Sequence, residues 1–204
     1  MIKNIVIFGN GNHCQIVKQE ILKHSNYRIL AVYDFIEGRI KLADAYKKSK
    51  ISWQSNFYGI TAAGDNRQRE VLVNKVNKSF KNIKWIKIVS KNSVVEKDVK
   101  IGEGTLVVSG SVINTNASIG EHCIVNTSSS IDHDTKIGKF SNIAPGVHIA
   151  GNVNVGNSVF IGMGTCIQEK ININSNVSIG AQSFVNKNCE KNSQYFGLPA
   201  KKKK

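Results

Sequence analysis

Of the five histidines in this 204-residue sequence, His133 alone stands between two carboxylates, Asp132 and Asp134. Imidazole, with an ordinary pKa of about 6.5, is the side chain best matched to accepting a proton near neutrality. A carboxylate hydrogen-bonded to one ring nitrogen fixes the tautomer and stabilises the imidazolium, leaving the other nitrogen to act as base. His133 is therefore a candidate general base with an aspartate on either side to orient it, or else a solvated surface group. His122 and His148 lack such a pairing and are read as surface or groove-lining residues. His24 is expected to face a helix C-terminus or solvent. Cys14, Cys123, Cys166 and Cys189 lie far apart with no CxxC or Cys/His cluster, so buried free thiols are expected, with neither a disulfide framework nor a metal site.

A second place where residue types suggest chemistry is Gly9-Asn10-Gly11-Asn12-His13-Cys14, after the apolar run Ile5 to Phe8. It carries the first two glycines of GxGxxG but has Cys14 where the third belongs, which weakens a dinucleotide reading. A glycine-containing turn that opens a helix still directs backbone N–H groups at an anion. Such turns also occur without ligands, so both readings stand.

The element that carries His133 is legible from a repeat. Stepping by six from Val89 to Val185 gives seventeen successive Val or Ile residues. A helix recurs at three and four, and a plain strand at two. A spacing of six is that of the hexapeptide parallel β-helix. Ile101-Gly102, Ile119-Gly120, Ile137-Gly138 and Val155-Gly156 recur every 18 residues, so three hexads form one coil, with glycine expected at corners. No inserted loop is expected. His133 follows the inward Ile131 by two residues and so lies outside the apolar stack.

Residues 1–88 read instead as strands alternating with helices: a strand at Ile5 to Phe8, a helix to about His24 and a strand from Ile29 to Tyr33 that ends at Asp34. A strand follows from Phe57 to Ala63, then a helix from an Asp65 cap to Phe80 and a last strand from Ile83 to Val89. The expectation is a Rossmann-like α/β domain over 1–88, with crossovers and a parallel sheet, followed by an all-β domain over 89–204. Of the net charge of +14, the first 88 residues hold 16 basic against 6 acidic side chains, residues 89–200 hold 8 of each, and the last four are lysine. The basic half suits an anionic small molecule or is simply a solvated lysine surface. No groove-entering or base-stacking motif accompanies it, so nucleic acid is not expected as a partner. No apolar run approaches a membrane span, and the N-terminus passes straight into a strand, so a cytoplasmic protein is expected.

With both halves in view, the sequence resembles the sialic-acid O-acetyltransferase and UDP-4-amino-sugar N-acetyltransferase family of hexapeptide-repeat sugar acyltransferases. The resemblance spans nearly the whole chain. It rests on Gly9 to His13, on Asn126-Thr127-Ser128-Ser129-Ser130-Ile131-Asp132-His133-Asp134, on Ile149-Ala150-Gly151-Asn152-Val153-Asn154-Val155-Gly156 and on Phe196-Gly197-Leu198-Pro199-Ala200-Lys201. It implies a left-handed β-helix, a homotrimer, and His133 as base with Asp134 behind it. It also implies acetyl-CoA between neighbouring β-helices, with contacts near Asn142, Gly151, Met163 and Ala181. A nucleotide-sugar would be held by the first domain at Gly11, Asn12, His13, Asp34 and Gly64. Asn142 stands where members of the family can carry a second histidine, and Asn12 where a glycine is common. Lys201 to Lys204 are read either as a mobile tail or, for Lys201 above all, as approaching the phosphates of CoA.

The function implied is N-acetylation of a UDP-linked 4-amino sugar for bacterial surface glycans, by direct transfer. O-acetylation of a sugar hydroxyl such as that of sialic acid, and a non-catalytic nucleotide-sugar-binding trimer, are the alternatives.

Overall fold

The computed structural model describes residues 2–36, 39–42 and 57–203. β1 (Lys3–Phe8) is fully buried from Ile5 to Phe8, as a continuous apolar run at the centre of a parallel sheet should be. It pairs in parallel with β2 (Tyr27–Ile36) on one side and β4 (Tyr58–Thr61) on the other. α1 (His13–Leu22) crosses from β1 to β2, and α2 (Asn66–Ser79) leads from β4 to β5 (Lys84–Trp85). With β3 (Arg39–Leu42) at one edge, the sheet order is β3-β2-β1-β4-β5. Asp65 caps α2, its Oδ1 accepting the Gln68 N–H at 2.8 Å.

Two boundaries differ from expectation. β2 continues past Asp34 to Ile36 and pairs antiparallel with β3 (Arg39–Leu42), an edge strand without a clean alternating pattern. The single last strand expected over Ile83 to Val89 divides: β5 closes the first sheet, and β6 (Ile88–Val89) is already the first rung of the solenoid, paired with Leu106–Val107.

From there sixteen two-residue strands, β7 to β22, recur every six residues from Val94–Val95 to Phe184–Val185. They stack in three parallel faces with an 18-residue register, for example Ser130 on His148 and Ile131 on Ile149. We call the face of Ile88, Leu106, Ile124, Asn142, Phe160 and Ser178 the first, that of Val94, Ser130, His148 and Cys166 the second, and that of Lys100 and Lys136 the third. The inward Val or Ile is buried at every hexad from Val107 to Val185. Val89, Val95 and Ile101 in the opening coil are only partly covered. Each stack is continuous, so adjacent coils supply one another's core.

The corners are built differently from the sequence expectation. The residue in the left-handed conformation is the third after each inward position, every sixth residue from Gly104 to Gln182, and most of these are not glycine. Gly102, Gly120 and Gly138 serve close approach instead: a Cβ on Gly120 would lie 2.7 Å from the Lys139 backbone nitrogen one coil on.

The two domains share a core, Ile86 and Ile88 packing with Leu106 and Val108 and with residues of α1. Arg69 of α2 is their main polar joint. It is fully buried, and every one of its hydrogen bonds goes to a carbonyl-type oxygen: Ala63, Gly64, His122 and Phe140 main chain at 2.7–3.0 Å, Ser141 main chain at 3.4 Å and the Asn66 amide at 2.9 Å. Burial alone pulls its guanidinium down to about 10.

His122, read as surface or groove-lining, is buried in this joint. It stacks on Phe140 and lies edge-on to Trp85. His24 is not left to solvent, since its Nε2 lies 3.0 Å from the Val89 carbonyl. Cys14, Cys123 and Cys189 are buried, but Cys166 is exposed because it occupies an outward strand position.

The register gives a direct test. Ile137 is buried in the stack, whereas Lys139, two residues on, is exposed and bonds Glu121 at 2.7 Å. Ile137→Asp is expected to cost about 4 kcal/mol or more, and Lys139→Asp no more than about 1 kcal/mol. Equal melting temperatures for the two variants would contradict this placement.

Candidate active site

His133 and Asp134 form the corner between the second and third faces, with Asp134 the left-handed residue at φ 59°. Asp134 Oδ2 lies 2.8 Å from His133 Nδ1. An ionised carboxylate only accepts, so Nδ1 carries the proton and Nε2 presents its lone pair. The hydrogen bond from His133 and a second from Asn116 hold the Asp134 carboxyl below the usual carboxylate range, so it stays charged as this geometry requires. On the other side of the histidine, Asp132 Oδ1 is taken by Asn114 Nδ2 at 2.5 Å and plays no part in the pair. Both members of the pair are about half exposed, open to a reactant.

Gly151 lies one coil above His133, and the imidazole occupies the space where its side chain would be: a Cβ there would stand 2.6 Å from Nε2. Gly151 has an ordinary backbone, so Gly151→Ala is expected to leave folding intact while turning the ring aside. A displacement of this size should lower kcat roughly 10²-fold. Unchanged turnover would show that the ring does not need its place over Gly151.

At the first domain, Gly11, Asn12, His13, Asp34 and Gly64 all line one cavity of about 540 Å³, together with Gly9, Ala63, Arg67 and Gln68. The three glycines differ. Gly9 has φ 111°, and a Cβ there would meet the Ala62 carbonyl at 3.0 Å, so it serves the turn. A Cβ on Gly11 or Gly64 would meet nothing within 4 Å, so these two present bare backbone to the cavity. α1 opens here with no side-chain cap and no acidic residue in its first turn, which keeps its N-terminus favourable to an anion. Burial, and then the nearby Arg69 charge, push His13 down to about 4, so it lines the cavity as a neutral ring.

The residues read as acetyl-CoA contacts fall in three places. Gly151 is beside His133; Met163 and Ala181 are exposed, one coil apart, on the corner between the first and second faces; Asn142 is on the first face, its Nδ2 donating to the Gly64 carbonyl at 2.9 Å. Lys201 and Lys202 form β24, antiparallel to β23 (Gln194–Phe196), so at these two positions the chain end is a strand and not a loose tail. Sequence reading missed Arg67, which lines the cavity, and Asn114 and Asn116, which sort the two aspartates. Each asparagine lies 18 residues before its partner, and that register was the available signal. Among the described residues no group of His, Cys, Asp and Glu could hold a metal ion, and no helix is long and apolar enough to cross a membrane.

Comparison with known proteins bears on this arrangement. Residues 4–76 match the model of the PglD N-terminal domain. PerB from Caulobacter crescentus, solved in complex with CoA and GDP-perosamine, superposes with a TM-score of 0.86 at 27% identity, over 100% of this chain and 99% of that one. The chain thus shares the family of its first domain with PglD and its whole fold with PerB. Two further solved structures superpose along nearly their whole length. The acetyltransferase domain of PglB from Neisseria gonorrhoeae FA1090, in complex with acetyl coenzyme A, gives a TM-score of 0.87 at 23% identity, covering 99% of this chain and 100% of that one. WeeI from Acinetobacter baumannii AYE gives 0.79 at 23%, covering 98% and 99%. No curated protein matches by sequence. The solenoid is the left-handed β-helix that the resemblance implies, and the first domain is Rossmann-like.

Proposed function

We propose that this protein moves the acetyl group of acetyl-CoA to the amine of a nucleotide-linked 4-amino sugar, UDP-linked by family resemblance, with His133 as general base. The observation that carries the reading is the His133–Asp134 pair over Gly151, half exposed with Nε2 free to accept a proton. The neutral amine attacks the thioester carbonyl and forms a C–N bond. His133 Nε2 takes the proton that the amine loses. Collapse of the tetrahedral adduct breaks the C–S bond, and the departing thiolate takes up a proton to leave as CoA. No covalent enzyme intermediate is needed. The relative solved with CoA and GDP-perosamine supports both the donor and the class of acceptor.

The first domain packs on the first face and its flanking corners, while His133 sits at the opposite corner of the prism. One chain therefore does not bring its own base to its own nucleotide cavity. A neighbouring copy supplies the base, and a ring of three closes such a head-to-tail contact.

Thiol release from acetyl-CoA with UDP- and GDP-linked 4-amino sugars, and with sialic acid, tests the chemistry. Release with sialic acid alone would reject the amine. Mixing tests the shared site: His133→Ala lacks the base, and Gly11→Val fills the cavity. Each should be inactive alone, and together, after reassociation, they should recover about a quarter of wild-type activity, because one site in four combines an intact base with an intact cavity. No recovery in proven mixed trimers would reject sharing.

A further inference from the structure

The outward positions of the first face run Ile88, Leu106, Ile124, Asn142, and the three apolar members are buried, Ile88 and Leu106 against residues of the first domain. Asn142 breaks the series. It is only 7% exposed, and its Nδ2 donates to the Gly64 carbonyl. This bond fixes the amide's orientation, since a flipped amide would set oxygen against oxygen. Oδ1 is consequently turned away, and it is buried with no partner among the described residues. A buried acceptor left unsatisfied is costly, and an asparagine in an apolar series is a poor choice unless something supplies a donor.

Oδ1 itself is covered, so a donor reaches it from the adjoining cavity with a small turn of the side chain. Asn142 lines a cavity of about 830 Å³ between the start of α2 and the first face. That cavity shares Gly64 and Arg67 with the nucleotide cavity, so the two adjoin. One coil above Asn142 stands Phe160, 39% exposed and in register with it, an apolar platform next to a lone acceptor.

We infer that Asn142 selects an amine over a hydroxyl at the acceptor position, its Oδ1 receiving one N–H of the sugar amine while the sugar's apolar face lies on Phe160. The inference rests on the acetyl-transfer reading above and assigns Asn142 to the acceptor and not to acetyl-CoA. Counting protons gives the selectivity. A neutral primary amine has two N–H bonds and a lone pair. One N–H meets Oδ1, the other faces the neighbouring copy's base, and the lone pair is left for the thioester carbon. A hydroxyl has one O–H and cannot satisfy both acceptors, so one of them stays unpaired.

The test uses the full-length protein and its Asn142→Leu and Asn142→Asp variants, with paired acceptors differing only in a 4-amino or 4-hydroxy group on the same nucleotide-sugar. Calorimetry should give the wild type at least a roughly tenfold preference for the amine, and Asn142→Leu should lose that preference while binding bare UDP or GDP as before, because Arg69 still holds the Ala63 and Gly64 carbonyls in that variant. In turnover, Asn142→Leu should raise KM for the amino sugar about tenfold or more with KM for acetyl-CoA unchanged. Asn142→Asp keeps an acceptor oxygen and should retain the preference for the amine, while its second oxygen, set against the Gly64 carbonyl, lowers affinity for amine and hydroxyl acceptors alike. A rise in KM for acetyl-CoA alone would overturn the assignment, as would a preference for the amine that survives in Asn142→Leu. Equal weakening of bare nucleotide would also overturn it, by showing that Asn142 merely holds Gly64. Absence of thiol release by the wild type with every amino sugar would instead sink the acetyl-transfer reading, and the binding ratios would still judge Asn142.

Discussion

His133→Ala is expected to lower kcat for acetyl transfer by roughly 10²–10⁴-fold, the range for removal of a positioned general base. The fold should be unaffected, because the side chain is half exposed at a corner and takes no part in the Val/Ile stack. KM for the nucleotide-sugar should change little, since the base acts on the amine in the transition state and not on the nucleotide. Asp134→Asn should cost less. The imidazole remains, but its proton is no longer anchored on Nδ1 by a charge, and the imidazolium is less stabilised. Asn116 bonds the same carboxylate from one coil below, so it is a further support whose loss should be milder again. Steady-state kinetics on the three variants should rank them in that order. Near-normal kcat in His133→Ala, or a larger loss in Asp134→Asn, would remove His133 from the role.

Legibility in the sequence followed the physics of each element. The solenoid was readable because each coil imposes the same demand on the same position, an inward β-branched residue every six. The candidate site at the His133 corner was readable because two carboxylates beside one histidine are a local pattern. Which of the two would pair was settled by Asn114 and Asn116, and that depends on contacts 18 residues apart. The corner conformation escaped notice for a different reason. The left-handed residue is Phe140, Lys170 or Gln182 as readily as glycine, so coil stacking overrides the intrinsic preference. β3 escaped because an antiparallel edge strand needs only a neighbour to pair with. The joint between domains was the least legible, since Arg69 and His122 look like surface residues until the partner domain covers them.

Replacement of that arginine is expected to be the most damaging single change outside the β-helix stack. Arg69→Met keeps much of the volume and removes every donor. The carbonyls of Ala63, Gly64, His122 and Phe140 then lose the guanidinium in a buried setting. Each unsatisfied group costs about 1–3 kcal/mol, partly offset because the charged guanidinium is itself desolvated where it stands. A net loss of about 3–5 kcal/mol is expected, which at this chain length lowers Tm by roughly 6–20 °C. Arg69→Lys should be nearly as harmful. An ammonium has three donors on a single point and cannot span α2, the Ala63–Gly64 loop and two solenoid corners at once. Because Gly64 borders both cavities, a folded Arg69→Lys protein should also bind nucleotide-sugar more weakly while the His133 corner, on the far side of the prism, is undisturbed. Thermal unfolding with calorimetry on the two variants measures both effects. A Tm within 2 or 3 °C of wild type in Arg69→Met, about 1 kcal/mol by the same scaling, would mean that the domain joint is held by the Ile86–Leu106 core and not by the guanidinium.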